Sequence, residues 1–316
     1  MEKKKLIVLI GPTAVGKTAL SIELAKEFGC EIISGDSMQV YRGMDIGTAK
    51  ITEQEMEGIP HHLIDIKDPS EPFSAAEFQQ IVRNKIDEIH SRGKMPMIVG
   101  GTGLYIQAVL YDYQFTETPG DEIFRKKLEQ RAQIEGNIGL YEDLKGIDSH
   151  SAKNIHPNNV RRVIRALEIY QCTGKTMSEY QESQDSEMLY DTALVGLTMD
   201  REMLYQRINH RVELMVQEGL VEEVKRLHEK NLRDVQSIQA IGYKEIYEYL
   251  DGNSSFDEAL ENLKQNSRRY AKRQLTWFRN KMDVQWFDVT NQKDSQKNFR
   301  KISDFIAGKI ALKSNR

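Results

Sequence analysis

Four residues stand at a spacing that binds phosphate. Gly11, Gly16, Lys17 and Thr18 complete the pattern G-x-x-x-x-G-K-[ST] in GPTAVGKT. In such a loop, backbone N–H groups and a helix N-terminus converge on an anion, with the lysine ammonium beside them. Pro12, Thr13, Ala14 and Val15 make up the rest of the cradle. The motif predicts a phosphorylated ligand without saying which. Asp36, in GDSMQV, is the next candidate. A carboxylate there can hold a metal beside the phosphates, take a proton from a nucleophile, or cap the turn before Met38. The sequence leaves these three open. Arg207 and Arg211 lie one helical turn apart, either clamping phosphates or snorkelling at the surface. His61 and His62 are adjacent, so on a strand they point to opposite faces and make a poor metal pair.

These residues need elements to hold them. Five apolar residues, Leu6 to Ile10, predict a short buried strand feeding the loop. Ala19 to Phe28 reads as a helix, with Leu20, Leu24 and Phe28 on one face and Gly29 as its stop. Glu31 to Ser34 is a second strand. Ser74 and Glu77 form a capping box before a helix whose stripe is Phe78, Ile81, Val82, Ile86 and Ile89, closed by Gly93. Pro96 to Val99 is a further strand, running into GGTGLY. This alternation predicts an α/β fold, a doubly wound parallel sheet of the P-loop NTPase kind. Ligands of such sheets sit beyond the carboxyl ends of the strands, which brings Asp36 close to the loop. An ordinary ATPase ends a strand in a metal-binding acid, but Pro96 to Val99 ends in Gly100. Asp65, flanked by Lys67 and Asp68, is a weak substitute.

From Gln114 to Asp191 the strand signals vanish. Helices are predicted over Ile123 to Ala132, near Tyr141, and over Asn159 to Cys172, with Gly174 after the last and QESQDSE as a surface loop. The expected organisation is a core of 1–113 and 192–316 with a helical insertion, 114–191. In that insertion Val160, Ile164, Leu167 and Tyr170 form an apolar stripe, leaving Arg161, Arg162 and Arg165 for another face. Thr192 to Thr198 resumes as a strand. Asp200 caps a helix whose stripe is Leu204, Ile208, Val212 and Met215. In SRRYAKRQLTWFRNK, Tyr270 and Trp277 lie near one face with arginines on both flanks. That helix is either packed by its aromatics or suited to a phosphate backbone with stacking bases.

A net charge of −4 excludes a globally basic nucleic-acid binder, yet seven basic residues and no acidic one lie between Lys264 and Lys281. Cys30 and Cys172 are isolated, which argues against disulfides and zinc. The apolar run after MEKKK is too short for a signal peptide and no run reaches membrane-spanning length, so a cytoplasmic protein without membrane contact is expected.

Six blocks in order, GPTAVGKT, SGDSMQVYRGMDIGTAK, GGTGLY, RALEIYQCTGK, QAIGYKE and RRYAKRQLTWFR, resemble the bacterial tRNA dimethylallyltransferases (tRNA isopentenyltransferases, the IPP transferase family) over nearly the whole chain. The resemblance implies transfer of a dimethylallyl group from dimethylallyl diphosphate to N6 of the adenosine just 3′ of the anticodon, position 37 in tRNA counting. It implies that the loop binds this diphosphate with Mg2+ held partly by Thr18, that Asp36 is the base, and that Thr13 lies near the reacting atoms. Arg211, with Arg207 a turn earlier, would bind the diphosphate. Ser37, Met38 and Gln39 would surround a flipped-out adenosine, with Gln39 a reader of its edge. Thr102, the run Arg161, Arg162, Val163, Ile164 and Arg165, and the run Gln239, Ala240, Ile241, Gly242, Tyr243 and Lys244 would contact tRNA, joined by Arg269 and Arg273. The insertion would grip the anticodon stem-loop of a tRNA bound by a monomer. Rival readings are a P-loop small-molecule or nucleoside kinase, an adenylate isopentenyltransferase acting on free nucleotide, and a non-catalytic RNA-binding regulator.

Overall fold

The computed structural model describes residues 3–115, 121–182 and 187–311. It divides into two compact units, 1–110 with 188–316, and 111–187.

The first unit is built on a six-stranded, wholly parallel sheet. Its strands are β1 (Lys5–Ile10), β2 (Cys30–Gly35), β3 (His61–His62), β4 (Met95–Gly100), β5 (Asp191–Thr198) and β6 (Gln285–Asp288), in the order β3-β2-β4-β1-β5-β6. Leu6 to Ile10 are fully buried, because a central parallel strand is covered by helices on both faces and so reads as a continuous apolar run. The loop helix, Lys17–Phe28, turns Leu24 and Phe28 inward and stops at Gly29, as its pattern predicts, and also buries Ile22. Leu20, expected on that face, is only partly buried.

The ends of β2 and β4 explain the missing acid. A Cβ at Gly100 would lie 2.3 Å from the carbonyl oxygen of Gly35. The two strand ends approach too closely for any side chain there.

Several local expectations change. Ser74 accepts the N–H of Glu77, but the Glu77 carboxylate turns away to Lys67, so only half of the capping box forms. The edge strand β3 is only His61–His62, and His62 pairs with the Glu31 carboxylate that also receives Arg92. Strand β6 and the closing helix Ser295–Lys309 carry no clear sequence signal. That helix still completes the core with Ile302 and Ile306, fully buried beside Ile22 and Phe28 of the loop helix.

The second unit is all-helical: Glu122–Glu135, Asn137–Ile147, Ser149–Asn154, Val160–Thr173 and Met177–Glu182. Sequence patterning predicts three of these; the two shortest, of six residues each, are tied together by Asp148, which accepts from the N–H of Ser151 and of Ser178. Its core includes Leu128, Leu140, Leu144, Val163, Ile164 and Leu167. Val163 replaces Tyr170 on the buried stripe, for Tyr170 is 41% exposed. Glu168 is fully buried on the same helix, where Arg125 and Arg165 neutralise it. Of QESQDSE, residues 183–186 lie outside the described residues, as do the first two of MEKKK. No helix among the described residues is long and apolar enough to cross a membrane.

Candidate active site

The phosphate loop follows β1 directly. Ala14 (φ 64°) and Gly16 (φ 105°) adopt left-handed backbone conformations that turn the loop into the helix Lys17–Phe28. The side chain of Val15 packs into the core, and Gly11 and Pro12 are buried, so the loop is pinned from behind. Lys17 donates to the carbonyls of Gly11 (3.0 Å) and Pro12 (2.8 Å). Burial, reinforced by the neighbouring Arg211 charge and opposed by Asp36, pushes its pKa down to about 7. A cation held this reluctantly gains most from a bound anion. Lys17, Thr18, Arg207 and Arg211 line a cavity of about 560 Å³.

A second cavity, of about 300 Å³, opens on the other side of Arg211. Asp36, Ser37 and Met38 from the turn after β2 line it, together with Thr13 of the loop, Gly47 to Ala49, Gln239 to Ile241, and Tyr270 and Arg273. Arg211 belongs to both cavities and donates to the Thr13 hydroxyl at 3.3 Å. Burial lowers the pKa of this guanidinium while Asp36 opposes the shift.

Asp36 Oδ1 accepts the Met38 N–H at 2.8 Å, so it does cap its turn, and it lines the cavity as well. The capping and chemical readings are therefore not exclusive. Thr102 ties this turn to the loop after β4: its hydroxyl accepts the Ser37 N–H at 3.1 Å and its own N–H donates to Gly35.

The structure reassigns several expected contacts. Gln39 is not among the cavity residues: its amide oxygen accepts from Ser34, and its amide nitrogen donates to the carbonyls of Thr48 and Ala49. With both ends engaged it secures the 48–49 backbone and cannot read a base in this arrangement. In the run from Gln239 to Lys244, the first three residues face the cavity and Lys244 is exposed. Gly242 is buried, its N–H held by Glu245, and Tyr243 is fully buried with its hydroxyl on Glu223. Those two hold the loop. In the helical unit Arg161 and Arg162 are exposed, whereas Val163 and Ile164 are core and Arg165 is engaged by Glu168.

The basic helix is longer than its composition suggests, Phe256–Lys281. Tyr270 and Trp277 separate: Tyr270 faces the cavity with the Arg273 guanidinium over its ring, while Trp277 lies against Gly103, where a Cβ would meet its ring at 2.2 Å. Arg269 is exposed.

The residue that sequence reasoning passes over is Gln274. Its side-chain oxygen accepts the Thr13 N–H (2.9 Å) and its nitrogen donates to the Gly101 carbonyl (3.0 Å), bridging the two loops at 5% exposure. Beyond its place in the block RRYAKRQLTWFR, the signal for it is the buried stripe Ala271, Gln274 and Phe278, because a polar residue in such a stripe must find partners.

The donor set for a metal is slight. Among the described residues no group of three or more His, Cys, Asp or Glu could hold one. The exposed Thr18 hydroxyl at the cavity suits Mg2+, which keeps most of its waters and leans on substrate phosphate oxygens.

Residues 39–281 match the family described as IPP transferase. The tRNA dimethylallyltransferase of Bacillus subtilis is 63% identical over 98% of this chain and 99% of its own length. That of Geobacillus thermodenitrificans is 60% identical over 99% of both. Among solved structures, the tRNA isopentenylpyrophosphate transferase of Bacillus halodurans matches with a TM-score of 0.75 at 55% identity, covering 98% of this chain and 97% of its own. A eukaryotic dimethylallyltransferase acting on tRNA matches with a TM-score of 0.80 at 35% identity, covering 99% of this chain and 81% of its own. A family match across most of the chain and relatives at this identity leave one conclusion: the chain belongs to the IPP transferase family.

Proposed function

We propose that this chain, a transferase of a family that moves prenyl groups to tRNA, transfers a dimethylallyl group from dimethylallyl diphosphate to N6 of the adenosine at position 37 of a tRNA. The observation that carries this reading is the junction of the two cavities. A phosphate cradle opens, across Arg211 and the Thr13 hydroxyl, onto a pocket bordered by a carboxylate, an aromatic ring and an arginine. The diphosphate fits the first and a flipped-out adenosine the second.

In the reaction the N6 lone pair attacks C1 of the allyl group, and the C1–O bond breaks with its electron pair leaving on the diphosphate. The N6 proton passes to Asp36. The exocyclic amine is a poor nucleophile until that proton is leaving, so a carboxylate within reach is the needed group. Lys17, the loop N–H groups and Arg211 stabilise the charge that grows on the departing diphosphate. Mg2+, held partly by Thr18, would add charge neutralisation of the same leaving group. Arg207 supplements Arg211 from the diphosphate side. A kinase would need an acid at the end of β4, where the contact with Gly35 leaves no space beyond Gly100.

On the RNA side, Ser37, Met38 and Gln239 to Ile241 would enclose the base, and Arg269 and Arg273 would meet phosphates. The helical unit, with Arg161 and Arg162 on its exposed face, would grip the anticodon stem-loop. We place the enzyme in the cytoplasm, as a monomer.

The test is incubation with an anticodon stem-loop RNA and labelled dimethylallyl diphosphate. Label entering the RNA is expected. Movement of labelled phosphate from ATP with none entering the RNA overturns the reading.

A further inference from the structure

One wall of the second cavity is held from behind by a buried charge. Gly47, Thr48 and Ala49 line the cavity, and the backbone just before them is fastened to Glu223 of the helix Leu220–Glu229. The N–H groups of Asp45, Ile46 and Gly47 reach its carboxylate at 2.9, 2.9 and 3.0 Å. The Tyr243 hydroxyl donates to the same group at 2.6 Å. Glu223 is 2% exposed and lines neither cavity.

A buried carboxylate is costly unless its lone pairs are occupied. Leu220, Val224 and Leu227 show that this helix face could have been wholly apolar. A carboxylate in that face answers a different need, the capture of three consecutive N–H groups. The packing leaves the wall little latitude, since a Cβ on Gly47 would meet the Tyr243 ring at 2.5 Å. Gln39 fastens the next two residues through the carbonyls of Thr48 and Ala49. The wall is thus clamped by its N–H groups on one segment and its C=O groups on the next.

We infer that Glu223 is a positioning residue for the acceptor base: by fixing residues 45–47 it sets the cavity wall against which the flipped-out adenosine rests. This rests on the reading of the Asp36 cavity as the acceptor site. The diphosphate cavity does not include that wall, so the effect is confined to one substrate.

The experiment uses the full chain with Glu223→Gln, an isosteric change that turns an NH2 group toward N–H donors. Losing charge-assisted bonds at the wall should raise KM for the stem-loop RNA about tenfold or more. Binding of inorganic diphosphate, measured by calorimetry, should stay within about twofold. Amide exchange at residues 45–47 should accelerate, and Glu223→Asp should recover part of the RNA KM. An unchanged RNA KM overturns the inference, as does a parallel loss of diphosphate binding, the mark of general destabilisation. Should Glu223→Gln not fold, Gly47→Ala displaces the same wall with Glu223 intact, and an unchanged RNA KM there overturns the inference equally. If the unaltered chain places no dimethylallyl group in RNA, the reading of the reaction fails instead.

Discussion

The two cavities that meet at Arg211 are made in opposite ways. The phosphate-loop side takes its floor mainly from one stretch of chain, Ala14 and then Gly16 to Ala19 at the start of the helix, with Arg207 and Arg211 added across it. The Asp36 side gathers short pieces from Thr13 to Arg273, and none lines it with more than three consecutive residues. An anion can be held by backbone dipoles at a helix N-terminus, which a local turn supplies. A flat base needs walls at fixed separations, which only distant segments brought together can supply.

That contrast can be broken most sharply at Asp36. Asp36→Asn keeps a cavity of nearly the same shape while removing the proposed proton acceptor and the negative charge that faces Lys17 and Arg211, so kcat should fall about 10²–10⁴-fold without loss of RNA or diphosphate affinity. Single-turnover kinetics with separate binding measurements check this, and near-normal turnover removes Asp36 from the mechanism. Gln274 tests the seam between the sites. Gln274→Leu strands the Thr13 N–H and the Gly101 carbonyl in a buried place, at a cost of about 1–3 kcal/mol for each stranded group. Thermal melting should record that loss, and both substrates should bind more weakly because the bridge serves both loops. Selective loss of one substrate would show that the seam belongs to one side.

Two smaller effects separate the sides again. Replacing Arg269 and Arg273 by Gln should reduce the slope of log K against log salt for RNA by about 1.5, at about 0.7–0.9 for each phosphate no longer neutralised. Inorganic diphosphate binding should not change. A preserved salt slope would make that helix surface a bystander. On the other side, Lys17 has a pKa of about 7 before anion binding. At pH 8 it is mostly neutral, and a diphosphate restores its charge, so binding takes up a fraction of one proton and weakens as pH rises above 7. At pH 6 the lysine is already charged and contributes no uptake. Calorimetry in buffers of different ionisation enthalpy, compared with Lys17→Met to remove the ligand's own titration, measures this.

Strand β1, the loop and its helix are readable because each rests on neighbouring residues: five apolar residues, a fixed glycine and lysine spacing, and a terminal Gly29. The carboxyl-end rule also places Asp36 beside the loop from the order of elements alone. Gln39 shows where such reading fails. Its residue type suits adenine, yet its partners, Ser34 and the carbonyls of Thr48 and Ala49, are decided by folding. Val163 and Tyr170 show a smaller failure, in which a stripe is assigned to the wrong edge because a short helix among other helices is buried on a wide arc. Strand β6 is four residues of QWFD, too short to show a period.

By itself the sequence determined the phosphate loop, the α/β class and the family resemblance, since these are carried by residues close together in the chain or by blocks in a fixed order. Tertiary structure decided which polar side chains face a substrate and which serve the frame. Glu223, Gln274 and Tyr243 hold the site without lining it, whereas Tyr270 and Ile241 line it, although Gln274 and Tyr243 lie in the same sequence blocks as the two that do. The physical reason is that a buried polar group must be satisfied by whatever lies opposite, and what lies opposite is fixed by packing between segments far apart in the chain.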